Sequence, residues 1–167
     1  MQRALALTRE GRREEALGIV RTLGDAVPGL SFTQDGLAPF ADGARTQLLV
    51  GEVFALVGDQ ANARAHWEKA AAGEDAYPYP NVAFALQAAR RLAKVPDDAP
   101  RHRVEAALGS WMNRLAVGTN YPGPNALGQG LMLRALGRET ESKAKLHEAL
   151  LLPDRLMSHY LAREALE

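Results

Sequence analysis

The stretch of residues 48–73, LLVGEVFALVGDQANARAHWEKAAAG, restricts the fold more than any other part of the chain. Leu48, Leu49, Phe54, Leu56 and Val57 in its first arm, and Ala63, Trp67, Ala70 and Ala71 in its second, recur at helical spacing. That pattern predicts two amphipathic helices. Between them stands Gly58-Asp59: glycine adopts a left-handed cap cheaply, and aspartate accepts from the free amides that open the next helix. So short a connection makes the two helices antiparallel neighbours. Small residues at Gly51 and Ala63 let them approach closely. Phe54 and Trp67 add more bulk than a lone hairpin can bury, so the unit is expected to stack on others like it.

The same logic recurs along the chain. Leu5 and Leu7 precede Gly11, and Ala16, Leu17, Val20 and Leu23 follow it on one face. Ala16 stands five residues after Gly11, as Ala63 does after Gly58, and Ser142 stands five after Gly137. Gly130 precedes Gly137 by seven residues, as Gly51 precedes Gly58. Leu133, Leu146 and Ala149 complete that later copy. A second internal repeat is Tyr-Pro-X-Pro-Asn, beginning at Tyr77 and again 44 residues later at Tyr121. Proline forbids continuation of a preceding helix, and Asn81 and Asn125 are expected to cap the helices that follow. Val82, Phe84 or Ala85, Ala88, Ala89 and Leu92 then mark one helix face; Val104, Ala107, Leu108, Trp111, Met112 and Leu115 mark another, ending at Gly118. Residues 24–43 hold Phe32, Leu37 and Phe40 among glycine and proline breaks. This long irregular connection is expected to bury its aromatics or to close one end of a groove.

Small Gly51, aromatic Phe54, turn Gly58-Asp59, small Ala63, aromatic Trp67 and small Ala70 are spaced as in a tetratricopeptide repeat, and the chain resembles that family over about two thirds of its length. Gln47 and Val50 stand where the family has an aromatic residue and a leucine, and Pro28 falls near its inter-repeat proline. The resemblance implies an all-α fold: antiparallel hairpins at about 2–24, 44–73, 81–117 and 125–152, stacked as a right-handed solenoid in a single domain over 1–167. A capping helix at about 154–166 would close it. The resemblance further implies a concave groove, lined by the first helix of each hairpin, that holds a protein or peptide partner. Its expected partner-binding residues are Gln47, Glu52, Gln87, Arg91, Gln129 and Arg134.

Composition narrows the function classes. With 20 basic and 20 acidic side chains in 167 residues the chain carries no net charge, and no basic stripe; neither nucleic acid nor a membrane surface is expected as a partner. There is no cysteine, which removes disulfides, thiolate chemistry and cysteine-ligated zinc together. The N-terminus carries Arg3, Arg9 and Glu10 and no continuous apolar core, so it does not read as a secretion signal. No stretch approaches the roughly 20 apolar residues of a membrane span. A soluble, cytoplasmic protein is the default expectation.

Candidates for chemistry are few. His66, His102, His147 and His159 have no partner at metal-ligand spacing: His147-Glu148 lacks the second histidine of a zinc helix, and His66 and Glu68 point apart on a helix. Ser158-His159 is not a nucleophile–base arrangement, and Gly128-x-Gly130 lies inside a helix pattern with no strand before it. The expectation is therefore no catalytic, cofactor or metal site, and a non-enzymatic interaction scaffold. Trp67 and Trp111 read as core, while Tyr77, Tyr79 and Tyr121 sit in proline-stiffened loops. Two other readings stand beside the scaffold: a helical accessory domain of a larger protein, enzymatic or not, and a self-association module in which terminal hairpins of two copies stack.

Overall fold

Three glycines set the pattern. Gly11, Gly58 and Gly137 all have positive φ, 79°, 89° and 78°. Each closes the helix before it with the same pair of bonds. The glycine N–H donates three residues back (Gly11 to Thr8, 3.1 Å; Gly58 to Ala55, 3.1 Å; Gly137 to Arg134, 2.9 Å), and the next N–H donates five back (Arg12 to Leu7, 2.8 Å; Asp59 to Phe54, 2.9 Å; Arg138 to Leu133, 2.9 Å). This is the Schellman arrangement, which satisfies carbonyls that the helix leaves open. The residue after each glycine then ties down the next helix by pairing three residues on. Arg12 forks onto Glu15 and Arg138 onto Glu141, each through two bonds of 2.6–2.7 Å. Asp59 instead accepts from the Asn62 backbone (3.1 Å) and side chain (2.6 Å). Those Asn62 bonds, the side-chain one first, hold the Asp59 carboxyl below its ordinary value.

The structure is a computed structural model that describes residues 2–25, 43–75, 80–92, 98–153 and 158–167. It is all-helical: among the described residues there are nine helices and no strand. These are α1 (Gln2–Arg9), α2 (Arg13–Asp25), α3 (Ala44–Leu56), α4 (Gln60–Ala71), α5 (Asn81–Arg91), α6 (Asp98–Ala116), α7 (Pro122–Ala135), α8 (Glu139–Leu151) and α9 (Ser158–Leu166). Phe32, Leu37, Phe40, Tyr77, Tyr79, Pro28 and the expected start of the capping helix at 154 lie outside the described residues. The chain divides into two compact units, residues 1–73 with 87–95, and residues 74–86 with 96–167.

In the first unit α1 packs on α2, α3 on α4, and α1 on α3. Its core joins Ala4, Leu5, Leu7, Ala16 and Val20 to Val50 and Val53, flanked by Leu49 and Phe54. The close approach of α3 and α4 rests on Gly51. A Cβ there would lie 2.5 Å from two indole atoms of Trp67 and 3.0 Å from the Ala63 carbonyl. Ala63 and Ala70 are fully buried beside it. Ala4 and Ala16 hold the matching positions around Gly11, and both are fully buried.

The second unit is built around α7. Every residue from Gly123 to Leu133 is buried. A helix buried on all sides is a core element, not an amphipathic surface one. Val82, Ala83 and Leu86 of α5, Val104, Leu108 and Trp111 of α6, Leu146 and Ala149 of α8, and Ala162 of α9 share its cluster. Ser142 donates to the Gly130 carbonyl at 2.8 Å, and a Cβ on Gly130 would meet Leu146 at 2.8 Å. The start of α7 differs from the sequence expectation. Asn125 does not cap the helix; it lies inside it, fully buried, and donates from Nδ2 to the Trp111 carbonyl at 3.2 Å. The cap position is Tyr121, with Pro122 as the first helical residue. Prolines at the first turn cost nothing there, because those amides have no acceptor in any helix. The first turn-closing bond is that from the Asn125 N–H to the Tyr121 carbonyl, 2.9 Å.

Candidate functional site

A groove of about 340 Å³ opens in the first unit, lined by Leu5, Arg9, Leu48, Leu49, Glu52, Leu56, Gln87 and Arg91. Its walls are α1, α3 and α5. Each contributes residues one helical turn apart on one face: Leu5 and Arg9; Leu48, Glu52 and Leu56; Gln87 and Arg91. Leu5 and Leu48 are buried, Leu49 is half-buried, and Leu56 remains 49% exposed. The polar part is organised by one contact, Arg91 Nε to Glu52 Oε1 at 2.7 Å. Those two residues are 39 apart in sequence. Glu52 is the more enclosed of the two, its side chain 26% exposed against 58% for Arg91.

Three of the six partner residues expected from the sequence, Glu52, Gln87 and Arg91, thus meet at one site. The other three do not join them. Gln47 stands on α3 but turns towards α4, where its Oε1 accepts from His66 Nδ1–H at 2.7 Å. Gln129 is a correction: it is 1% exposed, and its Nε2 donates to Asn125 Oδ1 (2.5 Å) and towards the Trp111 carbonyl (3.5 Å). Because α7 is buried from Gly123 to Leu133, Asn125 and Gln129 have no solvent face and bond one another inside. Arg134 is exposed, and its Nη1 donates to the Ala165 carbonyl in the last turn of α9. Carbonyls there lack helical partners.

Arg9 and Leu56 are not among the residues expected from the sequence, although it carries a signal for both. Each stands two residues before its turn glycine, as Leu5 and Glu52 each stand six before theirs. Register against the glycine alone puts Arg9 on the same face as Glu52.

His66, His159 and the two tryptophans make contacts within the fold. His66 lies nearly parallel to Phe54, ring centres 5.4 Å apart and planes at 9°. Burial first, and then the nearby Lys69 charge, push its pKa below the ordinary imidazole value. His159 Nε2 bonds the Leu152 carbonyl at 2.7 Å, which ties α9 to the end of α8. Trp111 is wholly buried, and its Nε1 donates to both carboxylate oxygens of Asp75 at 3.1 Å. Trp67 is half-buried against Gly51, and its indole nitrogen has no partner among the described residues. None of the described helices is long and apolar enough to cross a membrane. Compared with protein-family models, with curated proteins and with solved structures, the chain matches none.

Proposed function

We propose that the chain is a non-enzymatic, tetratricopeptide-like interaction module, and that the groove on α1, α3 and α5 is where it takes a polypeptide partner. The observation that carries this reading is the origin of the groove walls. α1, α3 and α5 are the first helices of the first three of the four hairpins expected from the sequence, and the first helices are the ones that line the concave face of such a solenoid. The three Schellman turns, each with a buried small residue five positions on, support the same repeat. At about 340 Å³ the groove lies within the size range of ligand pockets.

The test is photo-crosslinking. A benzophenone amino acid replaces Leu56, and the full chain is exposed to three degenerate decapeptide pools. In each pool apolar positions alternate with acidic, with amide or with basic residues. Crosslinking of at least one pool from position 56, and not from a control at Arg163 on α9, is the expected result. Failure of all three pools to crosslink refutes the groove.

A further inference from the structure

The groove is not neutral. Of its three charged side chains, Glu52 and Arg91 are paired, while Arg9 has no ion-pair partner among the described residues. One positive charge is therefore uncompensated, and a second, on Arg91, is held by a single carboxylate. Resting on the reading of the groove as a polypeptide site, we infer that its occupant is a segment that presents acidic side chains together with apolar ones. One acidic side chain goes to Arg9, and another competes with Glu52 for Arg91.

The case for acid over base follows from what each would meet. A lysine or arginine entering the groove finds one carboxylate, already bonded to Arg91 at 2.7 Å, and two guanidinium groups in the same lining. It would have to break that pair and would leave Arg91 as a neighbouring like charge. A carboxylate finds two cations. Arg91, its side chain 58% exposed, can pivot from Glu52 to the incoming group and keep a carboxylate partner as it does so. Guanidinium groups also bind carboxylates through two parallel bonds, which favours them over point charges for this recognition.

Apolar side chains of the segment have Leu49 and the half-exposed Leu56 to cover, above a floor of Leu5 and Leu48.

Fluorescence anisotropy with the same three peptide pools, labelled, tests this on the full chain. The acidic pool is expected to bind best and to weaken as salt rises. Arg9→Gln and Arg91→Gln should each weaken it about fivefold, and Glu52→Gln should strengthen it by a similar factor. All three positions are solvent-accessible, so circular dichroism melts should superimpose on that of the parent chain. The gain from Glu52→Gln is the distinguishing arm, because a merely structural ion pair would give no gain when broken. Preference for the amide or basic pool, or weaker acidic binding in Glu52→Gln, overturns the acidic assignment while the groove stands. Sedimentation that reveals a dimer dissolved by Leu56→Asp would give the groove to a second copy, and also overturns it. Loss of crosslinking from position 56 with every pool removes the groove itself.

Discussion

Replacing Gly128 with alanine adds one methyl group where the second unit has no room for it. The new Cβ would overlap Cζ3 of Trp111 outright and lie 2.7 Å from both Cε3 and Cη2. Carbon atoms pack best at about 3.5–4.0 Å, so the ring edge must withdraw by about 1.5–2 Å. It is not free to do so. Trp111 is wholly buried, its Nε1 is held by Asp75, and its carbonyl receives Asn125. Overpacking of this kind costs about 1–3 kcal/mol, and straining the indole–carboxylate bond adds about 1 kcal/mol more. Against that, alanine is about 1 kcal/mol better than glycine inside a helix. The net loss should be about 2 kcal/mol, a fall in Tm of about 4–8 °C for a chain of this size. Gly109 supplies the control. It is exposed on α6 with nothing within 4 Å of a built Cβ, so Gly109→Ala should raise Tm by a few degrees. Thermal melts followed by circular dichroism read both. The cycle with Trp111→Leu, which removes the three clashing ring atoms, should recover most of the Gly128→Ala loss as a coupling of about 2 kcal/mol. A Gly128→Ala chain that melts with or above the parent, or an additive cycle, would show that glycine is not there to admit the indole.

Two further outcomes follow from the first unit. Gly58 has φ of 89°, so Gly58→Ala forces a side chain into the left-handed region and should lower stability by about 1–2 kcal/mol; an unshifted denaturation midpoint would refute the turn geometry. His66 has a folded pKa below its unfolded one, from burial and then Lys69. The unfolded state therefore takes up the proton first, and the stability it contributes is complete above the unfolded value of about 6.5 and is lost as pH falls through the folded value. Urea melts between pH 8 and pH 5 should show this acid loss reduced in His66→Phe, and equal slopes in both chains would count against it.

The hairpins were legible because their signals are local. Gly58 and Asp59 act within five residues of themselves, and the same spacing found Gly11 and Gly137. Gly51 and Ala63 were legible as the small residues of a close approach because both sit at fixed distances from the turn; that the Trp67 indole fills the space above Gly51 was not. Asn125 and Gln129 were not. As types they are a cap and a surface amide, and only the enclosure of α7 by α6, α8 and α9 turns them into internal partners of the Trp111 carbonyl. Enclosure depends on helices far away in sequence, which no local pattern reports.

The groove shows the same division at one register. Positions six and two before the turn glycine are Leu5 and Arg9 in α1, Glu52 and Leu56 in α3, and Leu131 and Ala135 in α7. In the first unit these positions line open space. In the second, Leu131 and Ala135 are buried in the core cluster that also holds Ala162 of α9. The repeat thus dictates which positions of a first helix face a common surface, and the neighbours decide whether that surface is filled or left open. Charge at these positions follows the outcome: Arg9 and Glu52 occur where water reaches them, and only apolar residues occur where it does not, since a buried unpaired charge would shift its pKa or unfold the unit. Charged residues at this register therefore mark the hairpins whose shared face stays open to water.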